Sequence, residues 1–434
     1  MLIMKILKNT SHLCGHFLIN DRASLVTRLE QQGWVADKIG KEVLDSCKNY
    51  YYSEFVEFTL HGDGNISKFN TKKSHKDALS GLVRYNKTIN RKIRVRTRSG
   101  DEVALHIEKL TVYIAPFNIV LFSVDLTMED IDYNHLAAAL QLIRDNCHYD
   151  ESLVGEFIDA AITPICNILS TTEVKVGTSN YQELTKNGNK LKLFQINETD
   201  SVAETDGEKF DAMLYSMGCL MPIDDSNCLA CTDTDYYKRV MQNGRIAVFD
   251  GWRALALFDT FSMMTVPLPD FRRDMWNSDY FRMIYIYILF RQAFLYQYES
   301  LFRKEGCDIK SLESDILLFE RRYCFDRFSF NFLPIEIGRA MERALELRES
   351  SANLHSTVAQ ASAVYEKESD DKMNRVLTLL AVITICSTIW DLFSMLNEAF
   401  PFNSSMSVFR TGTYILIIIL LIISIIYLQS NRKH

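Results

Sequence analysis

Two long apolar runs near the C-terminus constrain this chain most. Residues 376–397 read VLTLLAVITICSTIWDLFSMLN, with Asp391 as the single charge, and residues 411–428 read TGTYILIIILLIISIIYL with no charge. A helix rises about 1.5 Å per residue, so each run can cross the roughly 30 Å hydrocarbon core of a bilayer. The sequence therefore predicts two membrane spans and a lipid bilayer around them.

The charges that flank these runs predict their orientation. Lys372 and Arg375 precede the first span, and the tail, residues 429–434, carries two further basic residues. The connecting loop, residues 398–410, carries Arg410 as its single basic residue. Basic flanks stay on the cytoplasmic side, so both termini are expected in the cytoplasm and the loop outside. One hairpin cannot enclose a pore, so conduction would require several copies around an axis.

Residues 1–276 have the pattern of a cytosolic α/β domain. Strand-like alternation covers residues 91–125 and the run KLKLFQI at 191–197, and RIAVFD followed by RALALFD predicts a hairpin. Thr127, with Asp130 three residues later, resembles a capping box and predicts that a helix begins there.

Several classes of function are not expected. The net charge is −7 and neither half of the chain is strongly basic, so duplex nucleic acid is not an expected partner. The sequence has no phosphate-binding glycine loop, no dinucleotide fingerprint and no recognisable nucleophile–base pair. We therefore expect neither an enzyme nor a covalent cofactor.

Helices are predicted from residue 277 onward. Residues 277–333 predict a helical pair, and Pro334 suits the first turn of a further helix, because its missing N–H would be unpaired there. Beyond Pro334, a single glycine, Gly338, and no proline occur before the outside loop. One continuous helix is therefore expected, with residues 334–375 as its cytosolic part and the first span as its membrane part. The helical pair would pack against it.

The junction between this helix and the first span carries a recognisable motif. Residues 373–381 read MNRVLTLLA, close to the M-K-V-L-T-x-x-A of the CorA family of magnesium channels, which the chain resembles here. Counted onward without a gap, the Gly-Met-Asn signature of that family falls on Met395-Leu396-Asn397, where the asparagine alone is retained. The order of elements is also similar to that of the family.

The resemblance implies an architecture and an ion. It implies an α/β cytosolic domain, a long stalk helix and two C-terminal transmembrane helices, assembled as a homopentamer in a bacterial inner membrane, with the first span lining the pore. It also implies that Asn397 holds a hydrated magnesium or other divalent cation through its outer coordination sphere. Met395 stands where the family has glycine, and it adds a side chain at a position of close backbone approach.

Helical spacing places a polar stripe along the first span. Most candidate pore-lining residues lie on this stripe, Asp391 lies beside it, and Asn397 follows from the resemblance. The full set is Asn374, Thr378, Ile385, Thr388, Asp391, Met395 and Asn397. Lipid offers no hydrogen bonds, so a polar stripe favours a pore or a neighbouring helix. Two alternatives stay open: the threonines can bond carbonyls of their own helix, and Asp391 can be hydrated at the outer interface.

Two charged clusters are candidate ligand sites. The first is acidic and precedes the first span, where it could sense divalent cations: Glu366, Glu368, Asp370 and Asp371. The second is basic and lies on a predicted strand, where it could bind phosphate groups: Arg91, Lys92, Arg94, Arg96 and Arg98. A solvated helix face and a solvated or acid-paired sheet face are the respective alternatives.

Three functions fit this sequence. The first is a CorA-like channel gated by a nucleotide second messenger, as the resemblance implies for CorA-like effectors of type III CRISPR antiviral defence. The second is a housekeeping magnesium transporter gated by cytosolic divalent ions. The third is a membrane-anchored scaffold without conduction. The altered signature and the basic strand favour the first.

Overall fold

A computed structural model describes ten stretches of the chain: residues 5–19, 21–37, 39–60, 81–145, 149–169, 190–199, 207–223, 233–249, 251–277 and 280–399, the last with backbone alone at 368, 392, 393 and 396–399. The chain divides into two compact units. The first, here called the sheet domain, comprises residues 1–307 and 315–354, and the second comprises residues 308–314 and 355–434.

The strands of the described stretches form one nine-stranded sheet in the order β2-β3-β4-β5-β1-β6-β9-β8-β7. They are β1 (Lys5–Leu18), β2 (Val35–Ala36), β3 (Val83–Arg96), β4 (Glu102–Ile114), β5 (Ile119–Asp132), β6 (Lys192–Glu198), β7 (Arg245–Phe249), β8 (Trp252–Ala256) and β9 (Thr260–Thr265). Neighbouring strands are antiparallel except β6 and β9, which run parallel. The predicted strands and the predicted hairpin are confirmed.

Helices flank this sheet and follow it. They are α1 (Arg22–Gln31), α2 (Lys41–Lys48), α3 (Ser53–Leu60), α4 (Tyr133–Arg144), α5 (Glu151–Phe157), α6 (Thr163–Leu169), α7 (Gly207–Cys219), α8 (Thr234–Gly244), α9 (Asp270–Asn277), α10 (Phe281–Phe302), α11 (Ile309–Tyr323), α12 (Phe332–Ala344) and α13 (Leu347–Ala399). A π-helical turn, Ile158–Ile162, joins α5 to α6. The predicted α/β domain followed by helices is confirmed.

One face of the sheet builds the main apolar core. Side chains alternate between faces along a strand, so Leu13 on β1 and its ladder partner Leu193 on β6 point to the same side. Both are fully buried in a core that also takes Leu25 of α1 and Leu140 of α4. Each such side chain contributes about 1.5–3 kcal/mol on burial. Burial of this face therefore fixes the register of the central strands.

The opposite face of the sheet packs against α10. Phe194, one residue beyond Leu193 on β6, lies with its ring centroid 5.4 Å from that of Tyr285 on α10. Further along α10, the ring of Phe294 stacks on Phe319 of α11 with 3.6 Å between centroids. Aromatic side chains thus hold α10 between the sheet and α11.

The prediction that a helix begins at Thr127 is wrong. Residue Thr127 lies inside β5, paired with Thr10 of β1 and opposite His106 of β4. The strand continues to Asp132, whose carboxylate accepts a hydrogen bond from the backbone N–H of Asn134 at 2.9 Å and so begins α4. Two neighbouring ladders supply more backbone hydrogen bonds than one cap would, and they outweigh the local pattern.

The prediction of one continuous helix from Pro334 into the first span is also wrong. Helix α12 ends at Ala344 and α13 begins at Leu347, with Glu346 between them at a φ of 52°. Leu345 and Leu347 are 5% and 1% exposed. In an unbroken helix, residues two apart point about 200° apart. The break lets both leucines reach the interior. It contains no glycine or proline from which it could have been predicted.

Replacing Glu346 by glycine tests this break. A left-handed backbone conformation is unfavourable for a residue with a side chain, whereas glycine adopts it freely. Glu346→Gly is therefore expected to keep or raise the thermal unfolding midpoint. The control, Ala352→Gly, lies in the exposed interior of α13 and should lower stability by about 1 kcal/mol. Equal losses in the two variants, measured by tryptophan fluorescence, would indicate a continuous helix instead.

Candidate functional site

Two helical stretches of the described chain are long and apolar enough to cross a membrane, Glu151–Leu169 and Leu347–Asp391. Half of the apolar window of the first stretch is buried, whereas none of that of the second is buried. The first stretch therefore serves the core of the sheet domain, and the second coincides with the first predicted span. The predicted second span, residues 411–428, lies outside the described residues, as do the tail and the loop beyond Ala399.

Apolar side chains surround α13 on all sides along this stretch. Val376, Leu377, Leu379 and Ile385 are 54%, 54%, 41% and 54% exposed. At about 100° per residue these four positions cover the whole circumference of the helix. Leaving such side chains in water forgoes about 1.5–3 kcal/mol each. An apolar surface of this size marks a contact with lipid or with other helices.

The threonines of this segment satisfy their own hydroxyl groups. Thr378, Thr384 and Thr388 each donate a hydrogen bond of 2.8 Å to the carbonyl four residues earlier. This is the alternative that the sequence left open, and it makes the same residues acceptable in lipid and in a pore. The hydroxyl oxygens keep an accepting lone pair for a cation or water.

The other candidate pore positions are exposed on the same helix. Asn374, Ile385, Asp391 and Met395 all have exposed side chains. The side chain of Asn397, the candidate outer-sphere ligand, lies outside the described part. Within that part, no group of three or more histidines, cysteines or acidic residues is placed to hold a metal ion.

The acidic cluster lies on α13, just before the apolar stretch. Glu366, Asp370 and Asp371 are exposed, while the side chain of Glu368 lies outside the described part. Glu366 and Asp370 are four residues apart and share one face of the helix. Lys367 precedes Asp370 by three residues and Asp371 by four, so two of the three carboxylates have an opposite charge on their own face.

The structure brings together three of the five basic candidates. Lys92, Arg94 and Arg96 project from β3 as exposed side chains, separated by the buried Ile93 and Val95. We call these three residues the basic row. The other two candidates lie outside the basic row. Arg91 is next to a bulge in the ladder between β3 and β4 and does not share the alternation of the row, and Arg98 lies in the turn after β3.

A carboxylate on β4 partly compensates the basic row. Glu102 lies 3.8 Å from a terminal nitrogen of Arg94 and 3.4 Å from one of Arg96. All three side chains are at least half exposed, so these ion pairs contribute little to stability. Glu156 also accepts a hydrogen bond of 2.8 Å from the backbone N–H of Arg94. Among the described residues, two carboxylates beside three cations leave a net positive charge on an accessible sheet face, which suits a phosphate group.

A buried ion cluster, which the sequence did not single out, ties α10 to the sheet. Asp125 of β5 has one carboxylate oxygen 2.8 Å from His12 Nδ1 and the other 2.8 Å from Arg282 Nη1. Ser123 donates a further hydrogen bond of 2.7 Å to Asp125. Burial alone would raise the pKa of Asp125, but the charges of Arg282 and His12 outweigh it and hold that pKa well below its usual range. The carboxylate is therefore ionised and has both oxygens bonded, which gives Asp125 a structural role.

Neutralising Asp125 tests this assignment. Asp125→Asn leaves the Arg282 charge without its counter-ion, and breaking a buried pair in this way costs about 3–5 kcal/mol. The unfolding midpoint should therefore fall steeply. The double variant Asp125→Asn, Arg282→Met removes both charges and should be more stable than Asp125→Asn alone. A single variant as stable as the wild type would show that this cluster does not hold α10.

Comparisons of the chain with protein-family models, with curated proteins and with solved structures found no match. The resemblance to the CorA family therefore rests on the junction motif and on the order of elements.

Proposed function

We propose that this protein is a membrane cation channel, built from several copies of the chain and gated by a phosphate-bearing ligand on the sheet domain. The observation that carries the proposal is the apolar stretch of α13, which is exposed around its whole circumference. A water-soluble helix would bury one stripe of such a surface. A bilayer solvates it completely, and the sequence supplies a second apolar run that would complete a hairpin.

Several copies are needed because one hairpin has no interior. In closed rotational symmetry, the same face of α13 from each copy would line a common axis. Asn374, Thr378 and Thr388 supply polar atoms for that face, and the remaining apolar positions would contact lipid. The CorA resemblance implies five copies in a bacterial inner membrane with both termini in the cytoplasm.

Acidic side chains support cations as the conducted ions. Asp391 is the single charge of the first span, and symmetry would multiply it into a ring. Rings of carboxylates are a common source of cation selectivity in channels. The resemblance adds the amide of Asn397 as an outer-sphere site for hydrated magnesium, which releases its water reluctantly.

The basic row supports a phosphate-bearing ligand. Arginine binds phosphate in a bidentate manner, and alternate residues of one strand present their side chains in a line. A nucleotide second messenger fits this chemistry, and the resemblance implies such a signal for CorA-like effectors of type III CRISPR antiviral defence.

A magnesium transporter gated by cytosolic divalent ions is the second candidate. The observation that favours it is the exposed acidic group of Glu366, Asp370 and Asp371 on α13. Rescue of a magnesium-auxotrophic strain by the wild-type chain would favour this candidate over the ligand-gated channel.

Replacing Asp391 tests the conduction path. Clefts lined by one sign of charge raise the local concentration of counter-ions by about 10–1,000-fold, so Asp391→Asn should lower cation flux into liposomes at least about tenfold. The control, Asp391→Glu, keeps the charge and should conduct. Wild-type flux through Asp391→Asn would move the ion path away from this residue, and absence of flux in every variant would favour the scaffold.

Replacing two arginines of the basic row tests the ligand site. Each hydrogen bond to a charged group contributes about 1.5–3 kcal/mol, so Arg94→Ala with Arg96→Ala should weaken nucleotide binding about a hundredfold or more. The matched control, Arg239→Ala with Arg272→Ala, removes the same charge from two other exposed positions. Retention of radiolabelled nucleotides by the full chain in detergent is the measurement. Equal affinities in the two double variants would exclude the basic row.

A further inference from the structure

A second cluster of buried charges lies where three elements of the sheet domain meet. Arg144 ends α4, Lys192 begins β6, and Asp259 directly precedes β9. Because β6 and β9 run parallel with Leu193 opposite Thr260, Lys192 and Asp259 are side by side. The backbone N–H of Leu191 donates 2.9 Å to the carbonyl of Arg144, which brings the end of α4 to the same place.

The charges of this cluster do not balance. Asp259 lies 2.7 Å from Lys192 Nζ and 3.7 Å from Arg144 Nη2, so one carboxylate faces two cations in the ion pairs of the described residues. The side chains of Arg144 and Lys192 are 10% and 9% exposed. Burial lowers the pKa of Lys192 against the opposite effect of Asp259, and the charge of Arg144 adds a smaller lowering. Excess positive charge held away from water is costly without a counter-ion.

Hydrogen-bonding atoms of the cluster are also left over. Arg144 Nε is buried and finds no hydrogen-bond partner in the described part of the chain. The same holds for Nε2 of His16, which lies on β1 two residues after Cys14, the ladder partner of Lys192. Burial, followed by the charge of Lys192, lowers the pKa of His16 to about 4, so its ring is neutral at pH 7. A guanidinium carries five N–H donors in a planar fork, and the single carboxylate lies beyond hydrogen-bond distance of it.

The cluster is accessible from solvent along one side. Asp259 is 34% exposed, and the neighbouring Phe258 is 52% exposed. Lys192 Nζ lies 4.0 Å from the centroid of the Phe258 ring and donates 3.2 Å to the Phe258 carbonyl. The solvent-facing side of the cluster is therefore the side of Asp259 and Phe258.

We infer that Arg144 and Lys192 form a binding site for a phosphate-class oxyanion, with His16 beside it. The oxyanion would accept from the unused Nε edge of Arg144, where a planar fork matches two oxygens of a phosphate. It would also neutralise the excess charge. Asp125 differs in this respect, because there the buried carboxylate is already bonded on both oxygens.

This site does not depend on the proposed channel. The basic row is hydrated and faces solvent, whereas Arg144 and Lys192 have already lost most of their water, so an ion bound there is recognised at low dielectric. The same chemistry is offered by inorganic phosphate and by the phosphate of a larger ligand.

Calorimetric titration of the full chain in detergent with inorganic phosphate tests the site. The wild type is expected to bind with a stoichiometry of one per chain, and Arg144→Gln should weaken binding at least tenfold. Asp259→Asn removes the competing carboxylate and should tighten binding several-fold. The matched control, Arg239→Gln with Arg272→Gln, removes two exposed charges elsewhere and should leave phosphate affinity unchanged.

The opposite signs of the two single variants separate a binding site from a structural ion cluster. If Arg144→Gln does not fold, Arg144→Lys keeps the charge without the fork and should still weaken phosphate binding. No saturable heat in the wild type, or equal phosphate affinity in Arg144→Gln and wild type, would overturn the inference. Weakening by the Arg94, Arg96 double variant alone would assign the phosphate to the basic row and would overturn it as well.

Discussion

The exposed apolar surface of α13 is the constraint on which the rest of this structure depends. Hydrophobic burial is the main favourable contribution to folding, and here an apolar helical window of 18 residues obtains none of it within the part of the chain that the structure describes. The surroundings must supply it. Lipid and further helices are the surroundings that can cover such an apolar surface.

The sheet domain differs from α13, because it contains charged side chains buried inside an apolar fold. The Asp125 cluster is closed, with each carboxylate oxygen bonded and an arginine as counter-ion, so it joins β1, β5 and α10. The Arg144 cluster is open, because its ion pairs join one carboxylate to two cations within the described residues. Two buried ion clusters in one domain thus have different chemistry. The Asp125 cluster has its charges paired without a ligand, whereas a bound anion would neutralise the Arg144 cluster.

Patterns of period two and long apolar runs made much of this fold predictable. The strands from residue 91 to 125, the strand near residue 194 and the hairpin after α8 follow from local alternation. The start of α4 and the break at Glu346 could not be predicted, because ladder pairing and burial of Leu345 and Leu347 override local signals. Lys92, Arg94 and Arg96 were visible as a row. Arg144, Lys192 and Asp259 are far apart in sequence and meet through the register of β6 with β9 and the backbone hydrogen bond from Leu191 to Arg144.

The parallel pairing of β6 with β9 has a consequence for the order of folding. Residues 199–259 separate the two strands, and this loop must close before their ladder can form. Closure costs conformational entropy that grows with loop length, so pairings between distant segments tend to form late. Lys192 and Asp259 become neighbours at that step, so the cluster they share with Arg144 arises only when the sheet is complete.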